Sequence, residues 1–214
     1  MKQRTLEIKK EFFERHMDLL YLDAQITKAI ELIVNLKERN KILCCGNGGS
    51  AADCEHIAGE LLKSFELKRK IPDKMYKNLI ESYGEEGNFI ADNLQQAVKV
   101  IPLTSFCAYN TAFLNDCNEQ MLFAQLVNAL GLKDDVLISI STSGNSKNVV
   151  YASMLAKTMG MKIIALTGET GGKLKDIADI TINVPSNRTY RIQEYHLPIY
   201  HLICLCVESE LFDE

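Results

Sequence analysis

The chain has 214 residues, 47% of them hydrophobic and 24% charged, and a formal charge of −4. That size supports one domain with a substantial core, and that balance excludes a disordered or fibrous chain. The charge leaves no electrostatic footprint for nucleic acid, and no apolar run approaches the ~20 residues of a membrane span. The N-terminus lacks the apolar core of a signal peptide, so the expected compartment is the cytoplasm. Seven cysteines without metal-binding or C-x-x-C spacing agree with reduced thiols serving as small core residues.

Residues 4–38 carry Leu19, Leu22, Ile26, Ile30 and Ile33 at helical spacing, which predicts two helices or one broken helix in an N-terminal segment, 1–40. The first strand is expected at 41–45, with a helix over about 50–64. Composition then changes: 65–97 holds Lys68-Arg69-Lys70, Pro72, Gly84 and Gly87, and reads as an insertion with two short helical pieces, 75–81 and 88–97. A second strand at 98–103 leads into a polar loop reaching Asp116 and a helix over 118–130. Strands at 135–140, 162–166 and 180–184 alternate with helices at 146–160 and 172–178. A last helix spans 188–211, interrupted or kinked at Pro198. Short apolar strands alternating with helices predict an α/β fold, a doubly wound, five-stranded parallel sheet flanked by helices in a single domain, 1–214.

Three glycine- and hydroxyl-rich turns each follow a predicted strand: 46–50, 141–146 and 167–172. The middle turn, with Ser141, Thr142, Ser143 and Ser146, places four hydroxyls in six residues just before a helix. Unpaired N–H groups and partial positive charge at a helix N-terminus accept a phosphate without lysine. In such sheets the ligand sits at the carboxyl ends of the strands, so phosphorylated small molecules are the expected ligands. The first turn formally matches G-x-G-x-x-A, but no strand end about 20 residues on presents the acid that dinucleotide binding needs.

His56 and Glu60, four residues apart, share one helix face with Asp53 extending the ridge; alone, such a pair is usually a surface ion pair. Gln193, His196 and His201 lie on the last helix. Gln193 and His201 are separated by about 12 Å and about 80° on a straight helix, so they share one ion only if the helix bends, the groups reach across, or two subunits contribute. Asn115 and Asp116 read as an Asx turn or cap, or as polar groups at the ligand edge.

These residues together, Gly46-Asn-Gly-Gly-Ser50 with Asp53, His56 and Glu60, Asn115-Asp116, the 141–146 turn, Leu166-Thr-Gly168, and Arg191-Ile-Gln-Glu194 with His196 and His201, resemble the bacterial phosphoheptose isomerases of the sugar isomerase (SIS) domain superfamily. The similarity runs in order over 40–64 and 98–207. The resemblance implies a three-layer αβα SIS fold and an isomerase converting sedoheptulose 7-phosphate to an aldose phosphate in a homotetramer with sites near subunit contacts. It implies zinc on His56, Glu60, Gln193 and His201. It implies sugar-phosphate binding by Ser141, Thr142, Ser143 and Ser146, with Asn47, Gly48, Gly49, Ser50, Asn115 and Asp116, and catalysis by Glu60 and His201. Ser64 stands where the family commonly has arginine, and Tyr190 where some members have aspartate. Those departures bear on which sugar is bound. The competing expectations are a non-catalytic regulator that binds a phosphosugar or a protein, and an isomerase of a different phosphosugar.

Overall fold

A computed structural model describes residues 1–213. Five strands form one all-parallel sheet: β1 (Ile42–Gly46), β2 (Val100–Pro102), β3 (Val136–Ile140), β4 (Lys162–Thr167) and β5 (Ile180–Asn183), in the order β2-β1-β3-β4-β5. The chain leaves β1 towards one side to make β2, then crosses back to place β3 on the other side. The carboxyl ends of β1 and β3 therefore flank the switch point, where Gly46 pairs with Ile140. β2 is shorter than the 98–103 expected. It lies at the edge, where Pro102 lacks the N–H a central strand would need.

The nine helices seen among the described residues are α1 (Gln3–Arg15), α2 (Asp23–Val34), α3 (Gly49–Leu62), α4 (Asp73–Asn93), α5 (Cys107–Asp116), α6 (Leu122–Leu130), α7 (Lys147–Thr158), α8 (Leu174–Ile177) and α9 (Thr189–Phe212). Strand side chains alternate between two cores. Ile42, Cys44, Val136, Ile138 and Ile140 meet α1, α2, α3 and α9, whereas Leu43, Cys45, Leu137 and Ile163 meet α6 and α7. Both sheet faces are thus covered, as a parallel sheet requires.

The N-terminal helical segment is α1 and α2 joined by a 3-10 turn, Met17–Leu22, which buries Leu19 and Leu22. Two details depart from the sequence reading and a third agrees with it. Residues 107–116 form α5 rather than a loop; no residue of that helix is buried, so no apolar period betrayed it. The insertion is two helical pieces, as expected: α4 is broken at Gly84 (φ 56°), where the left-handed backbone turns the chain back on itself. Tyr76 then hydrogen-bonds Asn88 (3.0 Å) and Asp92 (2.9 Å) across the resulting hairpin. Finally, α9 runs uninterrupted through Pro198, with the Glu194 carbonyl forfeiting its partner four residues on.

His196 is fully buried on α9. Its Nε2–H points at the Thr167 carbonyl (3.4 Å), and its Nδ1 has no partner. Burial pushes its pKa down to about 4, with the Thr167 bond opposing. A histidine whose folded pKa is depressed contributes stability above its ordinary value of about 6.5 that is lost as pH falls towards 4. We expect the difference in unfolding free energy between wild type and His196→Leu to shrink by roughly 3 kcal/mol from pH 7 to pH 4. Denaturant titrations at several pH values measure it, and a pH-independent difference would refute the neutral buried imidazole.

Candidate active site

The first two turns meet at the switch point. Asn47, leaving β1, and Asn148, in the first turn of α7, exchange two amide hydrogen bonds of 2.9 Å each. Ser141 and Ser146 bring their hydroxyls within 3.0 Å, and Ser143 remains exposed at the rim. This lines the start of α7 with hydroxyl and amide groups and without a cationic partner in contact, a cradle suited to an oxyanion.

The third turn does a different job from the second. The Leu174 N–H binds the Gly144 carbonyl (3.1 Å) and the Lys173 N–H binds Asn145 Oδ1 (3.1 Å). Gly144 has φ 65°, and a Cβ there would run into the Gly171 carbonyl. Thus the third turn braces the second from behind. Its glycines are there for close backbone approach.

A second polar cluster forms where α3 and α9 pack together. His56 Nε2 lies 3.2 Å from Glu60 Oε1 and 3.4 Å from His201 Nε2. The two imidazole rings meet edge-on, 4.8 Å between centroids. Lys63 reaches Glu60 Oε2 at 3.2 Å, and Phe65 packs its ring against His201 at 5.5 Å. Burial lowers the His201 pKa, His56 lowers it further, and the Glu60 charge opposes both. A neutral imidazole that gains and loses a proton beside a carboxylate is suited to acid/base work.

Behind this cluster, the Tyr200 hydroxyl bonds His56 Nδ1 at 2.8 Å. Burial raises the Tyr200 pKa, and the neighbouring Asp53 raises it further. Burial also pushes the Asp53 carboxyl up to about 6, against the pull of Tyr200 and His56. Tyr200 fixes which ring nitrogen of His56 faces Glu60 and His201.

Other predicted residues lie elsewhere. Gln193 rests its amide against Gly49 at the N-terminus of α3, eight residues, about 12 Å of helix, from His201. Asn115 and Asp116 are exposed at the C-terminus of α5, bonded to each other at 2.7 Å. The turn after β2 instead presents Thr104 and Ser105, both bonded to Glu55 on α3 (3.2 and 3.1 Å). Ser64 gives its N–H to Gln95 at 2.7 Å, and Tyr190 is exposed at the start of α9. Among the described residues no group of three or more His, Cys, Asp or Glu forms a ready cage for a metal ion.

Tyr200 and Asn148 escaped the sequence reading. Tyr200 carries the one available signal, a polar-tipped aromatic beside His201 in an otherwise apolar helix. Asn148 gave none, because an asparagine in a first helical turn is ordinarily a local cap.

Comparison with known proteins agrees with this architecture. Residues 101–168 match the SIS domain family model. The chain is 39% identical over 207 residues to a phosphoheptose isomerase of Helicobacter pylori, covering 94% of each chain. A solved phosphoheptose isomerase from Francisella tularensis superposes with a TM-score of 0.74 at 31% identity, covering 98% of this chain and 100% of that one. Another, from Neisseria gonorrhoeae, gives 0.70 at 34% identity over 96% and 94%. The chain belongs to the phosphoheptose isomerase family of SIS-domain proteins.

Proposed function

We propose that the chain interconverts a ketose phosphate and an aldose phosphate, sedoheptulose 7-phosphate and its heptose 7-phosphate partner, by proton transfer through an enediol. The observation that carries this reading is the meeting of one carboxylate and two imidazoles on adjacent helices, with Glu60 at 3.2 Å and His201 at 3.4 Å from His56 Nε2. A binder needs only the hydroxyl cradle; a carbon acid needs a base and an acid as well. Glu60 takes the proton from one carbon and returns it to the next, and His201 exchanges protons with the sugar oxygens. The 141–146 turn holds the phosphoryl group and so fixes the reacting carbons in register.

The donor chemistry of the cluster suits zinc. His56 Nε2, with a carboxylate oxygen at 3.2 Å and a second imidazole nitrogen at 3.4 Å, offers the nitrogen and oxygen donors that zinc takes. His56, Glu60 and His201 would hold the ion, with Gln193 completing the set, and bound zinc would polarise the substrate carbonyl. Tyr200 serves this arrangement by taking the Nδ1–H of His56, leaving Nε2 free to ligate.

The separation of Gln193 from His201 has a consequence for assembly. Glu60 lies eleven residues beyond Gly49, about 16 Å along α3, while Gln193 stays beside Gly49. One chain thus presents Gln193 at one end of α3 and the acid/base groups at the other. A complete site takes Gln193 from a second subunit, in keeping with a homotetramer whose sites lie at subunit contacts.

Glu60→Gln and His201→Ala are each expected to lose about 100-fold or more in kcat while staying folded, measured by NMR detection of solvent-proton exchange and aldose formation. Near-normal turnover in either removes that residue from the mechanism. Ser143→Ala, altering only the phosphate end, is expected chiefly to raise KM; an unchanged KM counts against the cradle. Co-expressing Glu60→Gln with Gln193→Ala is expected to give hybrid oligomers with activity that neither parent has, because one class of shared site then retains both residues. Hybrids as inactive as the parents would confine the site to a single chain.

A further inference from the structure

Arg69 and Glu208 form an ion pair with side chains 0% and 2% exposed, 2.8 Å apart. Taking two charges out of water costs more than their attraction returns unless every remaining donor and acceptor is used. Here they are used on the segment that leads out of the acid/base cluster. The Arg69 guanidinium gives Nη1 to the Leu61 carbonyl (2.8 Å) and Nη2 to the Glu60 carbonyl (3.1 Å). Those carbonyls belong to the last turn of α3, which has no helical donors for them and carries partial negative charge. The Glu208 carboxylate accepts the N–H groups of Phe65 (2.7 Å), Glu66 (2.8 Å) and Leu67 (3.1 Å).

We propose that this ion pair is the positioning device for both proton-transfer groups. Arg69 holds the main chain of Glu60 directly. Glu208 curls 65–67 back so that the Phe65 ring lies against His201, one α9 residue-face away: seven residues separate His201 from Glu208, nearly two full helical turns. One salt bridge therefore fixes the carboxylate from the α3 side and the imidazole from the α9 side. The phosphate turn, braced by 171–174, lies outside its reach. The inference rests on the isomerase reading for its kinetic consequence and on the geometry alone for its structural one.

The test uses the full-length protein with Arg69→Lys, which keeps the charge but loses the fork that spans two carbonyls, and Glu208→Gln, which keeps the shape but loses the charge. In folded variants kcat is expected to fall about tenfold or more with KM within about twofold, since small displacements of reacting groups are costly while the phosphate grip is untouched. With histidine labelled at the ring Cε1 position, four signals report on His16, His56, His196 and His201. Those of His56 and His201 are expected to shift in the variants and those of His16 and His196 to stay. A folded variant with kcat within twofold of wild type and all four signals in place overturns the proposal, even if its melting temperature drops. If Arg69→Lys does not fold, Glu208→Gln is read by the same criteria. If wild type isomerises no phosphosugar, the isomerase reading fails, and the ring signals alone decide whether the ion pair positions the two histidines.

Discussion

Because every strand of the sheet runs in the same direction, every strand-to-helix turn must emerge at the same edge, and each return must be made by a helix crossing a face. The rest of the molecule follows from that constraint. The strand order changes direction once, between β1 and β3, which parts the first two turns and leaves a crevice between them. Into that crevice the sequence puts glycine where the backbone must bend tightly and hydroxyls in the turn that opens α7. The third turn, on β4, is the neighbour that holds the second one rigid.

The same constraint explains where polar groups are tolerated inside. Strands covered on both faces leave no wet side, so a buried polar group must find partners within the fold. At the amino-terminal edge, Asp135 is surrounded by Lys41, Asn40 and the Leu132 N–H. Burial alone would raise its pKa, yet these donors hold it below the ordinary carboxylate range. Glu208 is handled in the same way, by three main-chain N–H groups and a guanidinium that outweigh the effect of burial. His196 is the exception, left with one weak partner, and it stays neutral instead. Each solution removes a buried charge or surrounds it.

The fold was largely legible in the sequence because burial wrote it there. Val136 to Ile140, apolar but for Ser139, and Ile163 to Leu166 are the runs of strands covered on both faces. α5 was illegible for the converse reason: none of its residues is fully buried, and only Tyr109 and Phe113 pack against the core, too few to write an apolar period. The candidate site was legible at the level of residue types and turn chemistry. Spacing on α3 correctly put His56 and Glu60 side by side, 3.2 Å apart. What no local pattern encodes is which helix packs beside α3. The arrival of His201 and Tyr200 next to His56, and the pairing of Arg69 with Glu208 across 139 positions, are consequences of tertiary packing. Pro198 misled in a related way: a local rule predicts a break, but packing of α9 along α2 and α3 carries the helix through.

The two ends of the proposed site are built by different physical means, and the difference follows from what the proposed reaction asks of each. An anion of fixed charge is best met by groups that do not move, and the turn proposed to hold the phosphate is made of main chain and short side chains locked by turn-to-turn hydrogen bonds. Proton transfer needs groups whose protonation can change, and the residues proposed for it sit on helix faces where aromatic rings and a tyrosine hydroxyl control orientation without fixing charge. Helices pack less specifically than hydrogen-bonded turns, since side-chain contacts tolerate small shifts. The acid/base end therefore requires a directional tie that apolar packing does not provide. A buried guanidinium forked between two carbonyls and a carboxylate is such a tie, and its position at the last turn of α3 accounts for charges being kept in an interior that could otherwise have been filled with leucine.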